Sequence, residues 1–112
     1  MNIKERKSGD ICVIGVEGRL DTMTYGILEK RLLEMIGEGQ IRIVVDCSEM
    51  EYISSSGLRV FLMGLKKIKS MNGKFVLTRL PDQVHEIMEI AGFTTIFEIR
   101  KTEEEALTVA GN

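Results

Sequence analysis

The chain has 112 residues, 44% of them apolar and 29% charged, with a net charge of −2. That length supports one hydrophobic core but not two, and the balance is that of a folded globular chain rather than a disordered one. Acids and bases are interspersed, which argues against nucleic acid as a partner, because phosphate contacts need a concentrated basic face.

No basic segment leads into an apolar one after Met1, so a secretory leader is not expected. The most apolar run, residues 60–65, is far too short to span a bilayer, so no membrane partner is expected either. Cys12 and Cys47 sit in or beside strand-like runs and form no close pair. They read as buried free thiols of a protein in a reducing cytoplasm.

Residues 2–7 alternate weakly around Ile3 and suggest an edge strand. Ser8-Gly9-Asp10 is turn chemistry, and residues 11–16 form a stronger strand through Cys12, Val13, Ile14 and Val16. The two runs read as a hairpin. Gly18-Arg19-Leu20-Asp21 is expected to end that strand. Asp21 or Thr22 then caps a helix whose stripe is Tyr25, Leu28, Leu32, Met35 and Ile36, closed by Gly37 and Gly39. Residues 41–45 hold three consecutive β-branched side chains, the pattern of a parallel strand covered on both faces.

A polar turn is expected next, followed by Ser54-Ser55-Ser56-Gly57 and a helix with Leu58, Phe61, Leu62, Leu65 and Ile68 on one stripe. Lys66, Lys67 and Lys69 complement its negative pole, and Asn72-Gly73 ends it. Residues 74–79 are a strand. Pro81 opens a helix with Val84, Ile87, Met88 and Ala91 inward, stopped by Gly92. A last strand is expected around Ile96, Phe97 and Ile99. Thr102 and Glu105 have capping-box spacing for a final helix through Ala106, Leu107 and Ala110. The order is β-β-α-β-α-β-α-β-α, an α/β class in which helix-linked strands pair in parallel with right-handed crossovers.

The serines draw attention because they stand where a strand delivers hydroxyls to a helix start, with its unpaired N–H groups and positive dipole end. Helix capping is an equal reading, especially for Ser54 and Ser56. Serine catalysis needs a base within hydrogen-bond reach, and the only histidine, His85, reads as a surface residue off the Ile87 and Met88 face. No nucleophile elbow, phosphate loop or dinucleotide fingerprint occurs, and Cys12, Cys47 and His85 lack metal-ligand spacing. Neither an enzyme nor a cofactor is expected.

Met50-Glu51-Tyr52-Ile53-Ser54-Ser55-Ser56-Gly57-Leu58-Arg59-Val60 resembles the signature of bacterial anti-sigma factor antagonists, the small stand-alone members of the STAS family. Gly18-Arg19-Leu20-Asp21 is similar to that family's turn before its first helix. The resemblance spans nearly the whole chain and implies one STAS domain over residues 1–112, a small mixed sheet with helices mainly on one side. It implies Ser55 as the phosphorylated serine, with Ser54 standing where many members have aspartate. It implies as partners an anti-sigma factor with serine-kinase activity, held by the unphosphorylated form so that sigma factor is freed, and a serine phosphatase that resets the switch. Asp21, Ser54, Ser55, Ser56, Gly57 and Arg59 are the expected contact residues, with Met23 and Met63 as docking surface or core. Asp21, Asp46 and Glu49 are expected near the phosphate, and Gly57 is expected to leave the helix start bare for a nucleotide. The alternative is a phosphorylation-independent STAS scaffold in a stress-signalling or lipid-transport complex.

Overall fold

A computed structural model describes residues 1–112. The elements are β1 (Asn2–Ser8), β2 (Ile11–Leu20), α1 (Tyr25–Gly37), β3 (Arg42–Asp46), β4 (Met50–Ile53), α2 (Ser55–Ser70), β5 (Lys74–Thr78), α3 (Asp82–Ile90), β6 (Glu98–Arg100) and α4 (Glu103–Gly111). The expected hairpin is there: β1 runs antiparallel to β2 from Asn2↔Glu17 to Ser8↔Ile11, and Gly9 takes the turn at φ +63°. The remaining strand pairs are parallel, in the order β1-β2-β3-β5-β6.

One strand lies where the sequence suggests only a turn. β4 is four residues long, too short to declare itself by alternation, and it exists because β2 is long enough to serve two partners. Cys12 to Gly15 of β2 pair with β3, and Gly18 to Leu20 pair in parallel with β4. The change of partner falls at a register shift between Gly18 and Arg19. Gly18 adopts φ +90° there and its N–H donates to Glu49 O at 2.9 Å. Such a bulge favours glycine because a side chain resists positive φ. So Gly18-Arg19-Leu20 continues the strand rather than ending it.

The sheet buries both faces. Cys12, Ile14, Val16, Ile43, Val45, Phe75 and Leu77 share one cluster with α1, α2 and α3. Ile11, Val13, Val44 and Val76 face the other way, under Ala106 and Ala110 of α4. Ile43, Val44 and Val45 are all fully buried, as their β-branched run implies. Four phenylalanines, Phe61, Phe75, Phe93 and Phe97, close the helical side with ring centroids 6.2–6.5 Å apart, the edge-on spacing aromatic rings favour. Thr102 Oγ1 accepts from Glu105 N at 3.1 Å at the start of α4, and Glu105 Oε1 accepts from the Thr102 hydroxyl.

Some boundaries differ from the sequence pattern. The last strand is Glu98–Arg100, so Ile96 lies outside it and is exposed, while Phe97 is buried. Ala91 is exposed, beyond the last turn of α3. Tyr25 begins α1 but is 37% exposed, at the rim of the core rather than in it. No helix is long and apolar enough to cross a membrane.

Candidate functional site

Leu20↔Ile53 is the last pair of the β2–β4 ladder, so Asp21 and Ser54 leave the sheet side by side. Ser54 N donates to Leu20 O at 2.9 Å, which fixes the second chain exit against the first. Ser54 then caps α2: its Oγ accepts from Gly57 N at 3.3 Å, and its carbonyl takes the first helical bond from Leu58 N at 2.9 Å. Capping therefore belongs to Ser54 and not to Ser56, which lies in the first turn, half-buried, with no hydroxyl hydrogen bond. Serine and aspartate cap helices about equally well, so a serine at this position leaves the local geometry intact.

Ser55 is the first residue of α2 and is exposed. Its hydroxyl makes no protein hydrogen bond. Gly57 is buried, and the reason is packing: a Cβ there would sit 2.8 Å from Leu20 Cγ and 2.9 Å from Ile53 Cγ1. Both neighbours are fully buried core residues. Glycine thus lets α2 settle onto the ends of β2 and β4. It does not bare a surface for a nucleotide, because its side-chain direction points inward.

The turn after β2 is built around Asp21. Its Oδ1 accepts from Met23 N at 3.0 Å, and its carbonyl accepts from Thr24 N and Tyr25 N. Thr24 Oγ1 accepts from Asp21 N at 2.9 Å and donates to Arg19 O at 2.7 Å. The helix itself begins at Tyr25, with Thr24 in the cap position making no side-chain cap bond. Asp21 thus organises the turn ahead of α1 rather than capping it directly. The Met23 N–H, with smaller help from Thr24 and Arg19, holds the Asp21 carboxyl below the usual carboxylate range. The Arg19 guanidinium lies 4.4 Å from the centre of the Tyr52 ring, with Nε 3.4 Å from Asp21 Oδ2. Such stacking over an aromatic face is favourable for an exposed cation.

Asp46 and Glu49 do not join this edge. They line a cleft of about 410 Å³ with Lys4, Arg6, Arg79 and Glu103, on the side of the sheet that α4 covers. Asp46 is taken up by Arg79, whose Nε and Nη2 donate at 3.2 and 2.5 Å. Among the three acids expected around the serines, only Asp21 shares their edge. Side-chain alternation decides this, since Asp46 lies on the same face of β3 as Val44.

A model of the STAS domain matches residues 2–106. An anti-sigma-B factor antagonist of Listeria monocytogenes is 32% identical over 106 residues, covering 94% of this chain and 91% of the relative. The chain belongs to the STAS family of anti-sigma factor antagonists. An anti-sigma factor antagonist from Mycobacterium paratuberculosis has the same fold, with a TM-score of 0.89 at 21% identity over 99% of this chain and 94% of that one. SpoIIAA in its unphosphorylated form gives 0.76 at 17% identity, covering 99% of both chains.

In this STAS protein Met23 is 89% exposed in the Asp21 turn, whereas Met63 is half-buried against the core. Of the two methionines, Met23 is the surface one. Arg59 is exposed one turn along α2 from Ser55. Ile27, 54% exposed on the first turn of α1, was not among the expected contact residues. Its signal was available, as an apolar residue out of step with the Leu28–Leu32–Met35 stripe. The two helix starts together present the exposed Ser55 hydroxyl, the exposed apolar side chains of Met23 and Ile27, and the Arg59 guanidinium. Such an edge suits docking against another protein.

Proposed function

We propose that this chain binds an anti-sigma factor with serine-kinase activity through the edge formed by the Asp21 turn and the start of α2, and that phosphorylation of Ser55 ends the association. Bound in its unphosphorylated form, it would free the sigma factor that the kinase otherwise holds. It acts as a regulatory binding protein and as the kinase's protein substrate, with no catalysis of its own. The kinase transfers the γ-phosphoryl group of ATP to Ser55 Oγ, the hydroxyl proton is lost, and ADP leaves. A serine phosphatase hydrolyses the ester to restore the binding form.

The observation that carries this reading is the division of labour among the serines. Ser54 is spent on Gly57 N, Ser56 is half-buried, and Ser55 alone presents an exposed hydroxyl without a partner. A phosphate there adds about −1.5 to −2 charges beside the carboxylate of Asp21. Docking would then have to desolvate that charge, which opposes association by several kcal/mol when no cation of the partner answers it. Repulsion at the edge is enough to switch the interaction, and the sheet and helices need not move.

The test uses the full chain as bait in lysate of its native cell, as Ser55→Ala and as a form carrying phosphoserine at position 55. Retention of an anti-sigma factor by the alanine bait and its loss from the phosphorylated bait is the expected result. Equal retention of that protein by both baits refutes the switch and leaves the phosphorylation-independent scaffold.

A further inference from the structure

Arg59 stands four residues after Ser55 in α2. Residues at that spacing are neighbours on a helix surface, with Cβ atoms about 5–6 Å apart, a gap that an arginine stem spans easily. Arg59 is also the one arginine in the molecule with no carboxylate beside it. Every other arginine is paired, Arg19 with Asp21, Arg31 with Glu5 and Arg79 with Asp46 among them. No acidic residue occurs anywhere in α2, so the helix offers Arg59 nothing to pair with. An exposed guanidinium is thus left free one turn from the only exposed serine of the cluster.

We propose that Arg59 is the internal counter-ion of phosphorylated Ser55, closing on the phosphate along α2 so that the modification is held by the chain that carries it. The proposal rests on Ser55 as the modified residue. Guanidinium matches phosphate in charge and in its forked donor geometry. Two other charged groups at this edge are already committed. Arg19 and Asp21 are engaged with each other, and Asp21 also takes the Met23 N–H. Glu51 of β4, Glu29 and Lys30 of α1, and Asp82, His85, Glu86 and Glu89 of α3, which packs against β4, are the other charged or titratable groups on the elements around this end of α2.

The pairing gives the switch a second action. In the unphosphorylated protein Arg59 is free to meet a carboxylate of the docking partner. Once Ser55 carries phosphate, that cation is withdrawn into the chain at the same time as the negative charge is added. A phosphate so held is also less available to cations of other proteins, the resetting phosphatase included.

The experiment installs phosphoserine at position 55 by genetic encoding, in the otherwise natural chain, in Arg59→Gln and in Arg59→Lys. Phosphorus NMR then follows the second ionisation of the phosphate as pH is varied. A free phosphoserine ionises near pH 6. With Arg59 present the midpoint is expected to lie about half a unit lower than in Arg59→Gln, with the lysine form between them. The difference should shrink as salt is raised. Midpoints that coincide in the natural and Arg59→Gln forms overturn the pairing. Because the phosphate is installed without a kinase, that result bears on Arg59 alone. Whether Ser55 is the switch is decided separately, by whether the phosphorylated bait loses its anti-sigma factor.

Discussion

Gly57→Ala asks whether the helix start is held down by close packing. The added Cβ falls 2.8 Å from Leu20 Cγ, 2.9 Å from Ile53 Cγ1 and 3.0 Å from Leu20 Cδ2. Carbon atoms in comfortable contact stand about 3.5–4.0 Å apart, so each neighbour must give by more than half an ångström. Leu20 and Ile53 have no accessible surface and therefore no direction in which to yield cheaply. Overpacking of this kind costs about 1–3 kcal/mol. Alanine returns up to about 1 kcal/mol through its better helix propensity. The net expectation is a loss of roughly 1–2 kcal/mol, or a fall in Tm of about 4–8 °C for a chain of this size.

Gly26→Ala is the internal control. It also lies in a helix, but nothing stands within 4 Å of its added Cβ. Propensity acts alone there, and a gain of about 0.5–1 kcal/mol is expected. Urea unfolding followed by circular dichroism measures both, with an unchanged slope showing that the unfolded states are alike. The two substitutions should move stability in opposite directions. If Gly57→Ala matches or exceeds the natural protein in stability, the packing explanation of this glycine is wrong.

Ser54→Ala should cost about 1 kcal/mol through loss of the α2 cap, whereas Ser56→Ala should stay within about 0.5 kcal/mol. Equal losses by denaturant unfolding would return the capping role to Ser56. Asp46→Asn tests the Arg79 pair through its pH dependence. Burial works against ionisation of Asp46, but Arg79 and the Ser48 N–H outweigh it and hold the carboxyl below its usual range. A carboxylate lowered in the folded state adds stability above its unfolded value and loses it as pH falls through the folded one. The natural protein should therefore exceed Asp46→Asn in stability at neutral pH, with the gap closing below about pH 4. A gap that stays constant through that range would show that the pair is not what stabilises the charge.

Local chemistry alone determined much of this protein. The β-branched run at Ile43, Val44 and Val45 reports a strand covered twice, because no half-exposed strand would spend three such side chains together. Gly9, Asn72 and Gly92 mark chain reversals through left-handed backbone, and Thr102 with Glu105 marks a helix start. Near-neighbour rules suffice there because the interacting groups are near neighbours. The serine cluster was legible for the same reason, as hydroxyls between an apolar run and an amphipathic one.

Tertiary structure decided the rest. β4 forms because β2 continues past Gly18 and offers it an edge, and that edge lies more than thirty residues away in sequence. Gly57 is glycine because Leu20 of one strand and Ile53 of another converge on it, which no local pattern records. Ser54, Ser55 and Ser56 are chemically identical in sequence; one becomes a cap, one is left exposed and one is half-buried only once α2 is set at a definite angle on the sheet. Asp46 looked close to the serines along the chain, yet the alternation of β3 turns it to the opposite face, where Arg79 waits. Spacing along a chain fixes what a residue can do, but only the packed sheet settles which residues share an edge.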